Sequence, residues 1–207
     1  MYVLYWSRGC GSFAPHAALN QVGASYEQVV VDLDSNQEYT EEFLARNPRA
    51  QVPVLTLPDG TIMTESVAMM IHIADCHPAS GLLPEVGQTE RAIAYRWLVF
   101  SVVNLYETGC RIEDTHHYSA KRSDYEGIRA KAHHDLDRYW EIVAEAIGEG
   151  PYLLGQRYSA VDICLLMLAQ WHPEPDALVE RHPNLGRLCD ALRKRSAIES
   201  IWSLNFP

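Results

Sequence analysis

A small α/β domain followed by an all-helical domain is the fold class this sequence predicts. Three observations lead there. Up to Asp75 the chain reads β-α-β-α-β-β-α in period and punctuation. After His77-Pro78 the character changes, and residues 79–88 form a linker carrying Pro and Gly. From Thr89 onward apolar residues recur at helical spacing. The expected domains are therefore 1–78 and 89–207, with 79–88 between them.

The elements follow in order. Tyr2–Trp6 is a short β-rich run, and Ser7–Gly11 is a turn with glycines on both sides of Cys10. Ser12 is placed to cap a helix running from Phe13 to about Val22, with Pro15 in its first turn and Gly23 at its end. Tyr26–Leu33 reads as a second strand and Thr40–Ala45 as a short helix. Val54–Leu57 and Thr61–Met63 flank Pro-Asp-Gly, a strong hairpin signal, and Glu65–Asp75 reads as a helix. In the second domain Asp124 is placed to cap a long helix. Its residues Ile128, Ala132, Leu136, Tyr139, Trp140, Val143 and Ile147 share one face, and Gly148 and Gly150-Pro151 end it. Ser159–Trp171 is apolar nearly all round, so it belongs at the centre. Leu185, Leu188, Cys189 and Leu192 mark one face of a later helix.

Composition narrows the function. The chain has 207 residues and a formal net charge of −10, and such an acidic surface repels phosphate backbones, so nucleic acid is excluded as a partner. No apolar run reaches the roughly 18 residues a membrane span needs. The N-terminus lacks a basic segment followed by an apolar one. Cys10, Cys76, Cys110, Cys164 and Cys189 are odd in number, scattered and without a C-x-x-C, which fits a reducing cytoplasm. His116-His117 and His133-His134 are adjacent pairs that point to different helix faces, so no metal site is expected.

The stretch Gln51–Ser66, QVPVLTLPDGTIMTES, carries the chemistry. Val52-Pro53 just before a strand is a candidate cis turn that turns the backbone of Val52 off the sheet edge. Glu65-Ser66 opens a helix, where free N–H groups and the dipole favour a carboxylate. Ser66 adds a hydroxyl donor, and Glu65 an anion for an ammonium group. Together they suit a small extended molecule with an α-amino acid head and a peptide body.

With these motifs the chain resembles the glutathione S-transferase superfamily over nearly its full length, nearest to the bacterial beta class. Gln51-Val52-Pro53-Val54-Leu55 resembles the family's cis-proline segment, and Thr64-Glu65-Ser66 its γ-glutamyl-binding pair. Tyr158-Ser159-Ala160-Val161-Asp162-Ile163 resembles its capping box and hydrophobic staple, and His182-Pro183-Asn184-Leu185 its late helix start. The resemblance implies a thioredoxin-like N-terminal domain, an all-α C-terminal domain and a homodimer. It implies glutathione as co-substrate, no metal, and a small electrophile as the second substrate.

Glutathione's thiol must ionise to attack, and a free thiol with pKa near 8.5 is only about 3% thiolate at pH 7. The family lowers that pKa with a donor near the start of the first helix. Here Cys10 is the first candidate and Ser12 the second. Aligning Pro15-His16 with the beta-class motif puts that class's cysteine on Gly11, so Cys10 lies one residue early. Tyr106 stands where the beta class has a histidine, and Tyr106, Cys110 and Phe13 are candidates for the electrophile pocket, as is the tail Trp202–Pro207. Two alternatives stay open: a glutathione-dependent thiol transferase in which Cys10 forms a mixed disulfide, and a non-catalytic binding protein on the same fold.

Overall fold

The computed structural model describes residues 1–206. The chain forms two compact units: Met1–Glu85 together with the chain from Leu192 on, and Val86–Ala191.

The first unit is built on four strands, β1 (Tyr2–Trp6), β2 (Tyr26–Val30), β3 (Val54–Thr56) and β4 (Ile62–Met63), in the order β2-β1-β3-β4. β1 and β2 are parallel, joined through helix α1 (Phe13–Gln21), and the other two pairs are antiparallel. Alternation along β1 divides the sheet between two faces. Tyr2, Leu4 and Trp6 are buried, and Trp6 stacks on His16 of α1 at 5.1 Å. On the other face Tyr5 meets Phe43 of helix α2 (Glu41–Leu44), within a cluster of Val31, Phe43 and Val54. The second strand is shorter than Tyr26–Leu33, because Asp32 turns the chain: its carboxylate accepts the N–H groups of Asp34 and Ser35. Helix α3 (Ser66–Cys76) packs against α1.

In the second unit, α4 (Thr89–Phe100) passes through a π-helical segment, Ser101–Tyr106, into α5 (Glu107–Glu113). Long α6 (Tyr125–Ile147) follows, then α7 (Ala160–Gln170) and α8 (Pro175–Arg181). Ten residues of α7, from Ala160 to Ala169, are buried, as its all-round apolar sequence predicts. The Asp162 carboxylate accepts the N–H of Ser159 at 2.8 Å, the Ser159 hydroxyl at 3.1 Å and the N–H of Leu153 at 2.9 Å. This ties the start of α7 to the preceding loop. Asp124 does not cap α6; its carboxylate accepts the hydroxyls of Ser119 and Ser123 instead.

Helix α9 (Pro183–Arg193) buries Leu185, Leu188, Cys189 and Leu192. The last helix, α10 (Ser196–Asn205), departs from the expected boundary of 89–207 for the helical domain. It belongs to the first unit, packed on α1. Asn20 donates to the Ala197 carbonyl at 2.7 Å, and Trp202 and Phe206 close on Phe13.

Candidate functional site

Strand register brings three separate stretches to one edge of the first unit. Leu55 faces Met63, so the Val52-Pro53 end of β3 lies beside the Glu65-Ser66 end of β4. Tyr5 faces Val54, so the Ser7–Gly11 turn leaves β1 next to that same end of β3. Val52-Pro53 is cis, as its sequence context predicts. Among the described residues none hydrogen-bonds to the Val52 peptide groups. The exposed residue Gln51 is tied down through its carbonyl, which accepts Nδ2 of buried Asn47 at 2.7 Å.

Glu65 holds φ 67°, a left-handed conformation that an L side chain seldom adopts without a reason. Its carbonyl accepts the N–H of Met69 at 3.0 Å, and its carboxylate pairs with Arg49 at 3.5 Å. Ser66 is half-buried at the first position of α3, among N–H groups that have no partner within the helix. Arg49 and Asn47 were not legible as site residues. Asn47-Pro48 signals a turn, but nothing in sequence spacing pairs Arg49 with Glu65.

The turn after β1 differs from expectation in its hydrogen bonds. Ser12 is fully buried and does not cap α1. Its hydroxyl donates to the Ser7 carbonyl at 2.9 Å and accepts the Ser7 N–H at 3.3 Å, so it closes the turn on itself. The proton of Ser12 is thus engaged within the turn. Cys10 is half-buried, with its thiol donating to the Arg8 carbonyl at 3.4 Å. Burial pushes the Cys10 thiol up, and a hydrogen bond from Ser7 opposes this only in part. Burial thus biases Cys10 toward its protonated form.

With this geometry in place, likeness to known proteins decides the family. Residues 1–75 match the glutathione S-transferase N-terminal domain and residues 114–195 the C-terminal domain. The chain is 30% identical over 204 residues to glutathione S-transferase GstA of Escherichia coli O157:H7, covering 97% of this chain and 96% of the relative. The chain belongs to the glutathione S-transferase family. A sphingomonad glutathione S-transferase complexed with glutathione superposes with a TM-score of 0.83 at 29% identity, covering 97% of both chains. The bacterial beta-class glutathione S-transferase of Sphingomonas chungbukensis does so at 0.83 and 27% identity, covering 99% of this chain and 98% of that one.

For a glutathione S-transferase, the electrophile side was expected to involve Phe13, Tyr106 and Cys110. Phe13 is fully buried, edge-on to Trp202 at 5.7 Å and against Phe206 at 5.5 Å, which makes it a core residue of the first unit. Tyr106 and Cys110 lie in the second unit, both half-buried, on either side of the junction between the π segment and α5. Tyr106 stands edge-on to Trp171 at 5.2 Å. Burial, with the charges of Glu107 and Asp114, pushes the Cys110 thiol up to about 11. Pro207 lies outside the described residues. Among the described residues no group of three His, Cys, Asp or Glu is placed to hold a metal ion, and no helix is long and apolar enough to cross a membrane.

Proposed function

We propose that this chain binds glutathione along the Val52-Pro53 edge and readies its thiol for attack on a small electrophile. The observation that carries this reading is the strand register, which sets the Cys10 turn, the open Val52 peptide and the start of α3 at one end of the sheet. Val52 offers a backbone N–H and C=O to the cysteinyl portion, in the manner of an added strand. Ser66 and the first N–H groups of α3 receive the γ-glutamyl carboxylate. Glu65 receives the ammonium group, and its left-handed backbone sets where that carboxylate sits. Gln51, held by Asn47, borders the peptide body. Cys10 donates its S–H to the glutathione sulfur and stabilises the thiolate. The raised Cys10 thiol favours this role over that of a thiolate nucleophile in thiol transfer.

The exposed apolar side chains Ile93, Val99 and Val103, on α4 and the segment after it, suit a second copy of the chain, and we read the protein as a homodimer. None of the five cysteines forms a disulfide, which accords with a cytoplasmic location.

Calorimetric titration with glutathione, followed by conjugation to an activated aryl halide, tests the reading. Saturable binding with turnover is expected. No heat of binding would remove the site. Binding without turnover of any of a panel of electrophiles would leave a binding protein on the same fold.

A further inference from the structure

The most developed constellation of reactive side chains outside the Val52-Pro53 edge lies at the far end of α3. Cys76 is the last residue of that helix and is exposed. One turn earlier, at i−4, His72 places Nε2 3.5 Å from the Cys76 sulfur. A third group comes from a different element: the phenol of Tyr2, buried at the start of β1, interacts electrostatically with Cys76. The thiol thus stands against a nitrogen base one turn away on the same helix, near a buried phenol from β1.

We propose that Cys76 is a second reactive thiol, at which low-molecular-weight disulfides exchange onto the protein with His72 as proton acceptor. The inference is independent of the glutathione site, since it uses neither Cys10 nor the start of α3. In the neutral tautomer with hydrogen on Nδ1, His72 accepts the Cys76 proton at Nε2. The thiolate attacks one sulfur of the disulfide RS–SR. The reagent's S–S bond breaks, the Cys76 S–SR bond forms, and RS⁻ leaves and takes the proton from His72 as RSH. The reagent's own disulfide is the oxidant, so the electrons balance with no further reactant.

Burial, then its interaction with Cys76, pushes the Tyr2 hydroxyl up to about 12. The surrounding charges oppose a bare thiolate. Asp75 is adjacent, and the C-terminal end of a helix disfavours an anion. Asp59 interacts electrostatically with His72. His77 is occupied by the Ile73 carbonyl at 2.9 Å, and its ring lies 6.4 Å from that of Tyr2. The thiolate therefore depends on His72.

The probe is oxidised glutathione in excess, read by intact-protein mass spectrometry and peptide mapping. One adduct on Cys76 is expected, retained in Cys10→Ser and absent in Cys76→Ser. His72→Gln preserves helix propensity and removes the base. It should slow modification of Cys76 about tenfold near neutral pH and leave a rate that climbs with pH as a simple thiol does. In the unmutated protein the rate of Cys76 should be flatter with pH than that of a free cysteine derivative, a reading that needs no variant. Adducts elsewhere but none on Cys76 would overturn the proposal. So would a Cys76 that reacts no faster than the free derivative, or one whose rate His72→Gln leaves unchanged.

Discussion

In the proposed function Cys10 and Ser66 divide the work of the site between thiol and carboxylate, and each makes its own prediction. On that reading a protonated Cys10 acts through one donated hydrogen bond, which a hydroxyl supplies equally well. Cys10→Ser should therefore keep conjugation activity, measured with glutathione and an activated aryl halide. Loss of activity, together with a glutathione adduct on Cys10 in the parent protein, would favour the thiol-transferase alternative. Ser66→Ala deletes one hydrogen bond to a carboxylate at a helix start, and glutathione affinity should fall by about 1.5–3 kcal/mol, or roughly ten- to a hundredfold. Unchanged affinity by calorimetry would place the ligand elsewhere. Glu65 shows why such positions are hard to read. A left-handed glutamate is costly, by about 1–3 kcal/mol, and it persists because the residues around it over-determine the turn.

Helix α1 illustrates how an element serves both core and site. Seven of its residues, from Phe13 to Leu19, are buried, so its position beneath the sheet is set by packing, without a side-chain cap. Phe13→Ala should lower unfolding free energy by about 3–5 kcal/mol in denaturant titration, as expected for an aromatic removed from a closed core. A loss below about 1 kcal/mol would return Phe13 to the list of pocket residues. Helix α7 is anchored at its first turn by Asp162. Asp162→Ala leaves the buried N–H groups of Ser159 and Leu153 without their acceptor and should cost about 2–4 kcal/mol by the same measurement.

For the molecule as a whole, two buried groups pull acid stability in opposite directions. His16 is fully buried between the rings of Trp6 and Tyr26, with no partner for either nitrogen among the described residues. Burial holds it down at about 4, against an ordinary 6.5. Below pH 6.5 the unfolded chain takes a proton that the native state refuses, so stability rises with pH from about 4 to 6.5, by about 3 kcal/mol. Asp162 is shifted the other way: burial raises it to about 6 from 3.8, despite its three donors. The native state then binds the extra proton, and stability falls as pH climbs from 3.8 to 6, by a similar amount. The two nearly cancel. His16→Phe removes one of them and also relieves two unpartnered nitrogens. The difference in unfolding free energy, parent minus variant, should rise by about 3 kcal/mol from pH 4 to 6.5. A flat difference would show that His16 titrates normally in the fold.

The order of strands and helices up to Cys76, the Pro-Asp-Gly hairpin, the cis Val52-Pro53 and the Glu65-Ser66 helix start were all legible in the chain, because each rests on local chemistry. Proline restricts its neighbour, glycine permits a turn, and apolar period reports the buried face. Other features depend on how groups come together in space. Ser12 has the residue type of a cap, yet its hydroxyl is taken up by the N–H and carbonyl of Ser7. Phe13 reads as a pocket residue until α10, almost two hundred residues later, covers it. The thiols of Cys10 and Cys110 are pushed up by burial, which spacing along the chain does not encode. The sequence settled which segments could form and which groups could bind. Packing decided which of those groups remained accessible and in what protonation state, since burial and hydrogen-bond competition are properties of neighbours in space.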